Sequence, residues 1–202
     1  MSTESADWQA RLAVQGEARE ESGAPQTKTI CQALQKANVN PLLREARPSD
    51  LGFLRRMLYE AIFWRSIGSA PSLEEGLAYP DVSNLLADWG RRAGDTAVVA
   101  TVDSTPIGAS WYRFWTDDNP IRGYIDEATP VLVIGVHTDY RHLGIGTKMI
   151  EWLVHRASEQ AIERISLMVS KDNYAIHLYR QQGFVEYADN GDAFVMVRNM
   201  QS

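Results

Sequence analysis

Cysteine is nearly missing from this chain. Cys31 is the single one among 202 residues, so no intrachain disulfide can form, and a reducing compartment fits. Long apolar runs are missing too. No stretch approaches the roughly 20 residues that a membrane helix needs. There is no Lys/Arg-rich run, and the formal net charge is -6 with a pI ≈ 5.2. That balance argues against a nucleic-acid surface and is compatible with a cationic substrate. Met1 to Glu21 holds neither a basic start nor an apolar core, so no secretory signal is expected. These absences predict a cytoplasmic protein with neither nucleic-acid nor membrane partners. The histidines His137, His142, His155 and His177 show no metal-ligand pairing with carboxylates or with Cys31, so no metal is expected.

What is present is ordinary for a globular chain, with 45% hydrophobic and 23% charged residues, and the length suits one domain of about 150–160 residues plus an extension. Residues 1–40 are polar and rich in small side chains, and read as a solvated arm. Two short helical patches are expected within it, around Trp8/Leu12 and Ile30/Leu34. Residues 41–202 are assigned to the folded domain.

One stretch organises that domain. Val131-Leu132-Val133-Ile134-Gly135-Val136 is almost wholly apolar and β-branched, which predicts a strand buried on both faces. Ile145, Met149, Leu153 and Ala157 then recur at i+4, beside Ile150 and Val154, which predicts an amphipathic helix. Between strand and helix lies a loop containing Gly144 and Gly146. The first four N–H groups of a helix lack intrahelical partners, and its dipole places partial positive charge at the same end. Glycines without Cβ let oxygens approach the backbone. The combination is a cradle for a phosphate or pyrophosphate. It is not a P-loop, because Gly146 is followed by Thr147-Lys148 without the required upstream glycine. It is not a dinucleotide fingerprint either, because Met149 stands where the third glycine belongs.

The remaining pattern, Arg141-x-x-Gly144-x-Gly146, resembles the pyrophosphate-binding signature of the GNAT superfamily of N-acetyltransferases. The downstream chain resembles the family as well: a second apolar strand Ile165 to Ser170, then Asn173, Ala175, and Leu178-Tyr179-Arg180-Gln181-Gln182-Gly183-Phe184. The resemblance covers residues 42 to 199.

It implies an α/β (α+β) GNAT acyl-CoA N-acyltransferase fold. The sheet would be mixed and mostly antiparallel, of about seven strands with a parallel pair at strands four and five, flanked by about four helices. The residues place the elements accordingly. Leu42 to Arg47 is a first strand. Pro48-Ser49-Asp50 caps a helix with Leu51, Leu54, Leu58 and Ile62 on one face. Ser72-Leu73-Glu74-Glu75 has the spacing of a capping box. Pro80-Asp81 restarts the helix, which ends near Trp89-Gly90 with Gly90 as its C-cap. Thr96 to Val102 and Ile107 to Trp115 form a hairpin around Asp103-Ser104-Thr105-Pro106. Phe184 to Tyr187 and Phe194 to Arg198 are the last strands.

The resemblance also implies a reaction, the direct transfer of an acetyl group from acetyl-CoA to an amine. The acceptor would be an amine-bearing small molecule or peptide, and a homodimer is a frequent assembly of the family. In the implied site Arg141, His142, Leu143, Gly144, Ile145, Gly146 and Thr147 hold the pyrophosphate. Ile134, Gly135 and Val136 pair with the pantetheine arm, and an N–H near Val136 serves as oxyanion donor. Gly135 either lets a group approach closely or only relieves packing. Asn173 holds the cofactor or caps the following helix. Tyr179 protonates the leaving thiolate, a role open to a phenol of pKa ~10. Many relatives carry a Glu on the fourth strand where this chain has Val131. Asp126 and Glu127, a few residues upstream, are the alternative proton acceptors, directly or through a water, with Glu127 the catalytic candidate; an amine of low pKa would need no base, and the acids would then be only a solvated loop. Tyr59, Glu60, Trp64 and Tyr79, with Trp111 and Trp115, are candidates to line an acceptor site that suits a cation. The competing function is a non-catalytic acyl-CoA-binding sensor or regulatory module.

Overall fold

The structure is a computed structural model and describes residues 40–65 and 70–200. The helical patches around Trp8/Leu12 and Ile30/Leu34, and Cys31, lie outside the described residues. The strands are β1 (Leu42–Glu45), β2 (Thr96–Val102), β3 (Thr105–Arg113), β4 (Val131–Val136), β5 (Arg164–Ser170), β6 (Val185–Asp189) and β7 (Ala193–Asn199). The helices are α1 (Leu51–Ile62), α2 (Leu73–Ala78), α3 (Pro80–Ser83), α4 (Ile145–Glu159) and α5 (Ala175–Gln181). The strands form one 7-stranded sheet in the order β1-β2-β3-β4-β5-β7-β6. Only β4 and β5 run parallel; the other neighbours are antiparallel.

Alternation along the strands explains the layers, since successive side chains point to opposite faces. Leu132 lies in the cluster that α4 covers, with Ile134 and Val136 packed against it. Val133 packs instead on the cluster built around Leu54, Met57 and Leu58 of α1. The apolar stripe of α4 is sealed: Ile145, Met149, Ile150, Leu153 and Ala157 are each at most 1% exposed. β2, between two covered faces, is buried over almost its whole length.

Three local expectations change. The β2–β3 turn is tighter than expected: Asp103 and Ser104 adopt φ of 48° and 66°, the mirror-image turn that suits strand twist. Thr105 and Pro106 therefore belong to β3, and Trp115 lies beyond its end. The helical segment after α3 stops at Leu86, not near Gly90. Gly90 has a φ of 77° and donates its N–H to Asp95 at 2.8 Å, so it shapes the following turn. Asp50 precedes α1 but does not cap it with its side chain. Its carboxylate instead accepts two bonds from Arg44, at 2.7 and 2.9 Å, and the Arg47 N–H at 2.7 Å. The Ser72 capping box forms as expected, with Glu75 N–H donating to Ser72 Oγ at 3.2 Å and Ser72 N–H to Glu75 at 2.8 Å.

Candidate active site

Strands β4 and β5 meet at a single registered pair, Val131↔Ser166, where Ser166 N–H donates to the Pro130 carbonyl at 3.0 Å. Beyond it they diverge, so the β5-facing edge of β4 from Leu132 onward has no strand partner among the described residues. Ile134 and Val136 present their backbone groups on that free edge, while those of Gly135 between them face β3. The opposite edge is held by β3, in the pairs Gly108↔Val136, Ala109↔Gly135 and Ser110↔Ile134. An extended ligand can add to such an edge as a strand would. The Val136 carbonyl is already occupied, since it accepts Arg141 Nε at 3.1 Å.

Gly135 has a structural reason of its own. A Cβ there would sit 2.1 Å from the Met57 carbonyl oxygen. The close approach is that of α1, and of the two readings the packing one describes Gly135.

The loop after β4 reaches α4 through Gly144, which takes a φ of 73° and has nothing within 4 Å of where a Cβ would stand. The first intrahelical bond runs from Lys148 N–H to the Gly144 carbonyl at 3.2 Å. The N–H groups of Ile145, Gly146 and Thr147 therefore lie in the unpaired first turn. Open space over Gly144 and unpaired N–H groups at a positive helix end fit a diphosphate. Gly146 packs closely, as its Cβ would stand 3.0 Å from Leu178 of α5. Leu143 packs against the α4 core and anchors the loop. His142 is held at a φ of 62° with its ring 4.6 Å from that of Tyr174.

The Arg141 guanidinium pairs with Glu60 at 2.6 Å, and Glu60 also accepts from Thr138 Oγ1 at 3.1 Å. The pair ties the loop to α1 and removes Glu60 from the free carboxylates of an acceptor site.

Asn173 Oδ1 accepts the Ala175 N–H at 2.9 Å. This is an Asx turn leading into α5, whose N-cap position is held by Tyr174. Tyr179, in α5, is 7% exposed and lies 6.0 Å from Phe184, ring to ring. Burial pushes its pKa up, with Tyr174 adding to the rise, because a phenolate would be poorly solvated there. The hydroxyl is thus a proton donor at every ordinary pH.

The expected acids lie in the loop from β3 to β4. Asp126 pairs with Arg164 at 2.5 Å. Glu127 is exposed and accepts the Asp117 N–H at 3.2 Å, within its own loop. Tyr124 donates to Asp117, which pushes the phenol up to about 12. Gly123 in this loop is buried, at a φ of 89°. A Cβ on it would lie 3.1 Å from Met168 N and 3.2 Å from Val131 Cγ1. The loop is therefore wedged where β4 and β5 part.

The aromatic candidates divide. Tyr59 donates its hydroxyl to the Pro71 carbonyl at 2.6 Å and packs on Phe63 at 4.8 Å. Tyr79 is 38% exposed, 6.5 Å from Phe63. Trp64 meets Tyr174 edge-on at 6.2 Å. Trp111 and Trp115 are 1% and 3% exposed; they are packing residues, not exposed lining. Beside them lies a feature that the sequence reading missed. Arg113, 1% exposed, donates Nε to Asp95 at 2.7 Å and Nη1 to the Ala87 carbonyl at 2.8 Å. A charged residue ending an apolar strand was the available signal. Tyr174 and Asp172 were also missed, although they flank Asn173.

A cavity of ≈ 590 Å³ lies between α1, α2 and the segment after α3. None of its lining residues comes from β4, β5, α4 or α5, and α1 stands between it and β4. Among the described residues no group of three His, Cys, Asp or Glu could hold a metal ion. No described helix is long and apolar enough to cross a membrane.

A sequence-family model described as "Acetyltransferase (GNAT) family" matches residues 59–184. No curated protein sequence matches the chain. Among solved structures, the chain is similar to the PaiA N-acetyltransferase of Thermoplasma acidophilum in complex with coenzyme A. The TM-score is 0.61 at 18% identity, over 80% of this chain and 99% of that one. It is also similar to a GNAT-family acetyltransferase of Staphylococcus aureus (0.58, 20%, covering 80% and 100%). A third similar structure is the ribosomal-protein-alanine N-acetyltransferase of Brucella melitensis (0.57, 21%, covering 78% and 99%). At these identities the structures share the fold.

Proposed function

The chain belongs to the GNAT family of acetyltransferases, and from that premise we propose that it moves an acetyl group from acetyl-CoA to the amine of a small molecule or peptide. The observation that carries the reading is the divergence of β4 and β5 beside a helix N-terminus approached through an uncovered Gly144. The main-chain N–H groups of Ile145, Gly146 and Thr147 are assigned to the diphosphate, with Arg141, His142 and Leu143 fixing the loop. The free edge of β4 over Ile134, Gly135 and Val136 is assigned to the pantetheine arm. An N–H on that edge near Val136 polarises the thioester carbonyl. Asn173 supports the site by holding the start of α5.

Acetyl-CoA supplies an activated acyl carbon and a thiolate leaving group. Tyr179 gives its proton to the departing sulfur. Its raised pKa makes it a weaker acid than a free phenol, but the same burial raises the basicity of a thiolate beside it. Of the two acids upstream of β4, Asp126 is neutralised by Arg164. We assign Glu127 to take the proton from the attacking amine, directly or through water. The protein acts in the cytoplasm on this reading.

The test is an amine panel monitored by thiol release from acetyl-CoA. The wild type should turn over at least one amine. Tyr179→Phe should lose about 10²-fold in kcat while still binding acetyl-CoA. Thiol release no faster than background hydrolysis with every amine would favour a non-catalytic acyl-CoA sensor instead.

A further inference from the structure

β4 and β5 separate above Val131↔Ser166, yet the loops that follow them come back together. His142, after β4, lies 4.6 Å ring to ring from Tyr174, after β5, at 41°. The opening between the strands is thus bounded by a backbone pair at one end and by two rings in tilted contact at the other.

The rings are tied in from a third direction. Trp64, just past α1, meets Tyr174 edge-on at 6.2 Å. Its neighbour Arg65 donates Nε to Asp172 Oδ2 at 2.9 Å, and a second guanidinium N–H reaches the other carboxylate oxygen. Arg65 also lies over the Trp64 ring at 4.9 Å. The pair spans 107 positions in sequence, so it joins the end of α1 to the turn that carries Tyr174. Tyr174 is nonetheless 45% exposed. Nothing in the core requires a tyrosine there.

We propose that Tyr174, packed obliquely on His142 and edge-on to Trp64 and tethered through Asp172 to Arg65, is a clasp across the mouth of the β4–β5 cleft that controls entry and exit of the acyl-CoA arm. This rests on the reading of that cleft as the acyl-CoA site. An arm lying along β4 with its diphosphate at residues 144–147 crosses the line between the two loops. The clasp must open to admit it and can close over it afterwards. Rings and ion pair together form a barrier common to both directions.

The test is stopped-flow binding of coenzyme A to the full chain, followed by tryptophan fluorescence. Asp172→Asn and Tyr174→Ala should raise the association and dissociation rates together, each by about tenfold, leaving Kd within about threefold. Tyr174→Phe, which keeps the ring, should behave as wild type. Thermal melts of the same variants check folding, and Asp172 is 62% exposed at its side chain, so its amide variant is the one least able to disturb the core. A rise in the dissociation rate alone would make these residues ordinary binding contacts and overturn the clasp. Unchanged rates in both variants would overturn it as well. If wild-type protein fails to bind coenzyme A at all, the acyl-CoA reading itself falls, and the clasp with it.

Discussion

At the scale of single residues, charge is where sequence and structure part most clearly. Asp50 looks in sequence like a helix cap, but its carboxylate is spent on Arg44 and on the Arg47 N–H. The hydrogen bonds from Arg44, ahead of the opposing effect of burial, hold its pKa below the usual carboxylate range. A carboxyl whose folded pKa is depressed stabilises the fold above its unfolded pKa, and that contribution is lost as pH falls through the folded value. Asp50→Asn should therefore cost about 2 kcal/mol at pH 7. In urea unfolding, the gap to wild type should narrow once pH drops below about 3.9. A gap that persists unchanged at pH 2 would show that the carboxylate's charge is not what matters. Arg141 likewise has a partner that the motif does not show, since its guanidinium pairs with Glu60.

At the scale of elements, glycine separates two meanings that a sequence cannot. Gly135 lies under the backbone of α1, 2.1 Å from Met57 O to a would-be Cβ. Backbone cannot swing aside as a side chain end can, so Gly135→Ala must push α1 off β4. We expect a loss of about 3 kcal/mol, read as a fall in the denaturation midpoint. Gly52 sits in the same helix with nothing within 4 Å of its would-be Cβ. Gly52→Ala should stabilise the protein by about 0.5 kcal/mol through the unfolded chain. Equal effects of the two substitutions in the same denaturation series would refute the contact argument. Element type and order were readable beforehand for α4 and β4, because a 3.6-residue apolar period and a short β-branched apolar run are both local properties. The stop of the helical segment at Leu86 was not. Asp95 and Gly90 shape the turn there through the Gly90 N–H bond, and Arg113 takes the Leu85 and Ala87 carbonyls. Arg113 is a strand residue far along the chain.

At the scale of the whole molecule, the proposed acyl-CoA site lies where the parallel pair of the sheet, β4 and β5, opens. A ligand that binds the folded chain alone stabilises it by mass action. Coenzyme A at one hundred times its Kd should add about 2.7 kcal/mol and raise the melting temperature by several degrees. Thermal unfolding with and without the ligand measures this. A melt that ignores millimolar coenzyme A would count against the proposed site.

Sequence alone determined the order of strands and helices, the buried stripe of α4, the glycine turn at its start and the family. All of these follow from periodicity and from short motifs whose partners are near in the chain. Tertiary structure alone decided that Gly135 yields to α1, that Arg141 pairs with Glu60, and that Tyr174 meets His142 and Trp64. Those outcomes depend on which distant surfaces meet. The energies involved are pairwise and short-ranged, so they exist only once the chain has brought residues such as Arg65 and Asp172 side by side.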